Sequence, residues 1–141
     1  MSQGFVNKVV SVPAATQAGQ EAAASTETFV SPGVQQFHPS SAKAWVQFDG
    51  TGTVAIDSSF NVSSITDNGV GTYVVNFTTA FSSAEYCASG ISRSDGASTG
   101  FIVMQNNISA AAGTYPAVTL DTSGGAKDSS RVCLAFWGDQ V

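Results

Sequence analysis

The sequence predicts a mainly β protein, an antiparallel sandwich of the jelly-roll-like kind preceded by a short adaptor. Charged residues make up 11% of the 141-residue chain, while Gly, Ser, Thr, Ala and Val dominate, a composition that favours sheet over helix. Short apolar runs alternate with polar residues at a period of two. Turn-rich segments almost free of large apolar side chains separate them. The length suits one domain with a real core, and no repeat of the kind that builds a fibrous shaft is present. We therefore expect an adaptor over residues 1–42 and a sandwich head over residues 43–141.

Residues 5–12 carry Phe5, Val6, Val9, Val10 and Val12 and end at Pro13, a strand-like stretch expected to be covered by another chain. Residues 14–24 are small and, Gly19 apart, good helix formers, which predicts about three helical turns. Their side chains are too small to build a core against a sheet. Three such helices can instead approach closely around one axis, or the segment can serve as a flexible leader. Pro32-Gly33 and His38-Pro39 then punctuate the passage into the head.

The first head strand is predicted at residues 43–49, with Ala44, Val46 and Phe48 on one face and Trp45 and Gln47 on the other. Asp49-Gly50-Thr51-Gly52 turns the chain into a second strand at 53–57, and a third is expected at 60–66. Asn68-Gly69 is the preferred pair for a two-residue hairpin turn, in which both central residues take positive φ. The return strand, 71–79, places Tyr73, Val75 and Phe77 together. Further strands are predicted at 85–92, 99–106, 117–120 and 131–137, with turn-rich connections at 92–100, 107–116 and 121–130. Eight short strands with such turns indicate a sandwich, but nothing in the sequence fixes their order.

Composition excludes several functions. The net charge is −5, and the five basic residues, Lys8, Lys43, Arg93, Lys127 and Arg131, are scattered, so no nucleic-acid partner is expected. No window approaches the roughly 20 apolar residues of a membrane-spanning helix, and residues 1–12 lack the apolar run of a secretory leader. Cys87 and Cys133 lie in separate strand-like runs with no metal-ligand spacing, and buried free thiols are expected ahead of a disulfide. His38 is the only histidine, and no nucleophile-elbow pattern appears. Asp49, Asp57, Asp67, Glu85 and Asp95 fall mostly in or beside turns, where carboxylates cap the backbone better than they serve as a catalytic pair. DTSGGAKD at 121–128 lacks the order of a phosphate loop. Asn61, Asn76 and Asn107 open glycosylation-type triplets that read more simply as strand residues. No enzyme activity and no cofactor are expected.

The run ATQAGQEAAASTETFV (15–30), the segment SPGVQQFHPSSAKAW (31–45) and the hairpin FNVSSITDNGVGTYVVNFTTAF (60–81) together resemble the distal modules of tail fibres from tailed bacteriophages. The resemblance covers most of residues 13–81 and is weak beyond about Cys87. It departs at Glu21-Ala22-Ala23-Ala24, where such fibres commonly carry Gly after the Glu-Ala pair. It implies a homotrimeric, β-rich virion surface protein, assembled in the host cytoplasm and joined to another virion protein. A fibre-type head that binds a host glycan or outer-membrane protein is the first expectation. A capsid decoration protein is the second, and a spike-type depolymerase or esterase the third.

Within that expectation, recognition falls to loops at one end of the scaffold. The candidates are Arg93, Asp95, Lys127 and Asp128, with Tyr115 as an aromatic platform for a sugar ring. Phe37, Trp45 and Trp137 are the candidates for contacts between copies, since large aromatic side chains anchor interfaces. No metal site is expected, the one exception weighed being His38 from three copies meeting on the axis.

Overall fold

A computed structural model of the chain describes residues 12–22, 28–93, 100–104 and 108–140. The predicted strand over residues 5–12 lies almost wholly outside them, as do Asp95 and Asn107. The chain forms two compact units, Met1–His38 and Pro39–Val141.

In the first unit the helix expected from Ala14 starts only at Gln17, as α1 (Gln17–Ala22), because Ala14 bridges Phe29, and α2 (Pro32–Gln35) follows with Pro32 in its first turn. Ala14 bridges Phe29 in parallel, with the Ala15 amide donating to the Phe29 carbonyl at 2.9 Å. Gln17 Nε2 donates to Glu21 Oε1 one turn on, at 2.9 Å.

The second unit is mainly β: two four-stranded antiparallel sheets built from β1 (Ala44–Asp49), β2 (Ala55–Phe60), β3 (Val62–Asp67), β4 (Thr72–Phe77), β5 (Cys87–Arg93), β6 (Phe101–Met104), β7 (Thr114–Leu120) and β8 (Arg131–Trp137). One sheet has the order β2-β1-β8-β5 and the other β3-β4-β7-β6. The expected sandwich is thus present. Sequence neighbours stay side by side in three hairpins, β1–β2, β3–β4 and β6–β7, while the other connections cross between sheets.

Alternation builds the core. The inward residues of the central strands face one another in register within each sheet: Ala44 with Phe136, Val46 with Leu134, Phe48 with Val132, then Tyr73 with Ala117 and Val75 with Tyr115. All ten are buried. Phe77, Phe81, Tyr86, Tyr115 and Phe136 gather at one end, with Phe77 and Phe136 edge to face at 4.9 Å and Phe81 stacked on Tyr86 at 4.4 Å. Tyr86 OH donates to the Thr114 carbonyl at 2.7 Å, so this partly buried phenol is satisfied.

Three local expectations are corrected. Residues 60–66 are not one strand: Phe60 ends β2, Val62 begins β3, and Asn61 between them takes φ 56° as the chain changes sheets. Its side chain holds the corner, donating to the carbonyls of Lys43 (3.1 Å) and Thr79 (3.0 Å) and accepting from the Thr79 amide (2.7 Å). The Asn68-Gly69 turn is not a two-residue hairpin. Asp67 pairs with Tyr73, and the positive φ values belong to Gly69 and Gly71, because Asp67 Oδ1 captures the Gly69 amide at 2.9 Å and opens a wider loop. The seventh strand begins at Thr114 rather than 117. Pro116 disguised it, yet the described ladder around that residue runs to β4 alone.

The two strands flanking the corner, β2 and β3, are sheet edges, and each is bulged. Asp57 is the extra residue opposite the Gln47–Phe48 step, and Ser63 the extra residue opposite Phe77–Asn76. Bulges increase local twist and make a poor template for another strand.

Gly71 has no freedom to be another residue. Its φ is +64°, and a Cβ there would lie 2.7 Å from the Thr119 carbonyl oxygen and 2.9 Å from that of Lys127. Gly124 also has positive φ (+80°), but a Cβ would meet open space. In urea unfolding we expect Gly71→Ala to cost about 2–4 kcal/mol, strain and overlap together, and Gly124→Ala about 1 kcal/mol from strain alone. Equal losses would show that the close approach at Gly71 is absent.

Candidate functional site

Register fixes which loops share an end. Phe48 lies opposite Val132, Arg93 opposite Arg131, Thr72 opposite Val118 and Phe101 opposite Leu120. The β1–β2, β3–β4, β5–β6 and β7–β8 connections therefore emerge together at a far end. Lys43, the corner at Asn61 and residue 138 lie at the near end, where the chain comes into the sandwich.

The far end is tied by one buried phenol. The Tyr73 ring packs edge to face on Phe48 at 5.1 Å, and its hydroxyl lies 3.0 Å from the Gly50 carbonyl and 3.1 Å from Asp128 Oδ1. Asp128 Oδ1 also accepts the Gly71 amide at 2.7 Å, and Thr119 donates its hydroxyl to the Lys127 carbonyl at 2.6 Å. The Gly50 amide reaches the Ser129 carbonyl at 2.9 Å. Three of the four loops are joined in this way.

The turn carboxylates behave as caps. Asp49 Oδ1 accepts the Thr51 hydroxyl (2.7 Å) and amide (2.8 Å), which together hold its pKa below the usual carboxylate value. Asp121 Oδ1 accepts the amides of Ser123 (2.8 Å) and Gly125 (3.0 Å). Among the described residues, no three His, Cys, Asp or Glu side chains converge to hold a metal ion.

The predicted site residues separate on this frame. Arg93, Lys127 and Asp128 all belong to the far end, but Asp128 already serves the Tyr73 hydroxyl and the Gly71 amide. Tyr115 is no sugar platform. It is buried at 8% exposure, faces inward and packs on Phe136 at 5.1 Å. The cysteines are free but not buried: Cys87 is exposed and Cys133 half-buried, both on the outer face of one sheet. Phe37 and His38 lie in the first unit.

Trp45 and Trp137 come together on that outer face. Trp45 lies opposite Ala135, making Trp137 its diagonal neighbour at about 7 Å across the β1–β8 ladder. With Gln47, Ser89, Ile91 and Cys133 they line an open depression of about 350 Å³. Trp45 is 39% and Ile91 71% exposed. At the far-end margin of the same face, Arg93 and Arg131 stand directly opposite each other on β5 and β8.

Trp45, Trp137 and Arg93 stand out in the sequence as site candidates, whereas Ile91, Gln47 and Arg131 do not announce themselves there as their companions. The alternation Arg131, Cys133, Ala135, Trp137 is visible in the sequence. Which strands lie on either side of it is not. No family model, curated relative or solved structure matches this chain.

All three tyrosines of the chain have raised pKa values. Burial is the main cause in each. The Asp128 carboxylate adds to it at Tyr73, Tyr115 adds to it at Tyr86, and Cys87 adds to it at Tyr115. A phenol that holds its proton more tightly when folded stabilises fully below the unfolded value of 10.0 and progressively less as pH climbs above it. Unfolding titrations should therefore show stability level from about pH 7 to about pH 9 and falling steeply beyond about pH 10. Tyr73→Phe should reduce that slope by one proton, about 1.4 kcal/mol per pH unit. It should also cost about 1–3 kcal/mol at neutral pH through the acceptors it leaves behind.

Proposed function

We propose that this chain is a non-enzymatic virion protein of the tail-fibre type, a homotrimeric head that is attached through its N-terminal segment and binds the host surface with the far end of its sandwich. The observation that carries this reading is the polarity of the second unit. The chain comes in at the near end, whereas four connections leave the far end, three of them tied by Tyr73, Asp128 and Gly50. A rigid scaffold that holds loops away from its tether suits attachment at one end and recognition at the other. The resemblance of residues 13–81 to fibre modules supports the virion setting. Turn carboxylates already engaged by backbone amides favour binding over hydrolysis.

Sedimentation of the purified chain at micromolar concentration is expected to give a single species of three copies. A folded monomer would remove the trimer from the reading. Antibody labelling is expected to mark tail tips on intact particles, and labelling spread over the shell would make the chain a decoration protein. Incubation with host polysaccharide should release no new reducing ends. Their release would make it a depolymerase.

A further inference from the structure

Three features of the outer face of β1, β8 and β5 find no use in the fold. The first is the pair of tryptophans beside a floor of small residues. Trp45 and Trp137 flank Ala135 and Ser89, and Gly90 points inward between Ser89 and Ile91, where a Cβ would meet the Cys133 carbonyl oxygen at 2.5 Å. Two flat amphipathic rings over a shallow floor, with Ser89 as a polar group, suit a ligand with flat apolar faces and hydroxyl edges.

The second feature is the arginine pair. Like charges directly opposite across a ladder are destabilising, yet two of the five basic residues of a chain with net charge −5 are placed so. Neither is paired with a carboxylate among the described residues. Asp49, one residue past the Phe48–Val132 pair, flanks Arg131 on the other side and stays ionised while it accepts from Thr51, and Asp57 accepts from Gln47 Nε2 at 3.2 Å. Two forks side by side are a receptor for carboxylate or phosphate oxygens.

The third feature is spacing. Arg131 lies four residues along β8 from Ala135, about 13 Å. An occupant touching both ends of the face must be elongated, with apolar ring faces at one end and negative charge at the other.

We propose that the outer face of β1, β8 and β5 is a binding site for an acidic oligosaccharide, with sugar rings stacked on Trp45 and Trp137 and anionic substituents held by Arg131 and Arg93. The assignment places the ligand along the side of the sheet, leaving the far-end loops at its margin. It also gives the two tryptophans to a ligand instead of a neighbouring copy. It holds for the free protein whatever particle it belongs to, so its test is independent of the trimer and of virion location.

The test uses the full chain on an array of uronate-, sialate- and phosphate-bearing oligosaccharides printed beside neutral counterparts. The strongest retained probe is then titrated by tryptophan fluorescence. Trp45 and Trp137 are the only tryptophans, so their emission reports on this face alone. The expected result is retention of acidic probes only and a saturable change in emission. Trp45→Ala should abolish binding, and the R93A/R131A double variant should weaken it roughly tenfold or more. Added salt should weaken it as well. All these side chains are on the outer face, and far-ultraviolet circular dichroism of each variant checks that the fold is intact. Retention of no acidic probe overturns the proposal, as does a double-arginine variant that binds as tightly as the native chain. Native tryptophans shielded from acrylamide until Trp45→Ala separates the copies would assign the face to self-association, and that too overturns it.

Discussion

Tyr73 closes the sandwich where its connections meet. Its ring fills the core against Phe48 of the facing sheet, while its hydroxyl reaches the Gly50 carbonyl and the Asp128 carboxylate. A buried hydroxyl without partners is costly, so the loops bearing Gly50 and Asp128 are held wherever Tyr73 stands. Gly71 and Gly50 lack side chains because the same point is crowded. A Cβ at either would overlap the Thr119 carbonyl or the Tyr73 hydroxyl. One phenol thereby ties β1, β4 and the β7–β8 connection into a single rigid end.

The near end is organised differently. Aromatic rings of Phe77, Phe81, Tyr86, Tyr115 and Phe136 pack edge to face and stacked, and Asn61 binds the corner where the chain changes sheets. With both ends fixed, the sheets have little freedom to slide. Side chains on their outer faces acquire defined positions without contributing to the core. This allows the outer face of β1, β8 and β5 to carry two tryptophans, an exposed isoleucine and two facing arginines that stability does not require.

Such a face is an expense for an isolated soluble chain: apolar rings in water and like charges side by side. The proposed ligand relieves both at once, because rings cover rings and anions separate the guanidinium groups. The far end and this face share the Arg93–Arg131 margin, so the proposed ligand would lie beside the start of β8 and the β7–β8 connection.

The sequence by itself determined the eight strands and most of their faces. Period-two alternation is local, and it places Ala44-Val46-Phe48 and Tyr73-Val75-Phe77 on the interior face, whereas in β8 a buried Cys133 was expected and the structure instead buries Val132, Leu134 and Phe136. Where a local rule was interrupted, the local pattern misled. Asn61 hid a change of sheet inside an apparent strand, Asp67 widened a turn that Asn68-Gly69 seemed to close, and Pro116 concealed the inward phase that buries Tyr115. Only the tertiary structure decided that β8 lies between β1 and β5, because pairing between strands distant in sequence depends on how whole sheets pack and is written in no short window. That choice sets Trp45 beside Trp137 and Arg93 across from Arg131, so the strands of the candidate site were legible in the sequence while its assembly was not.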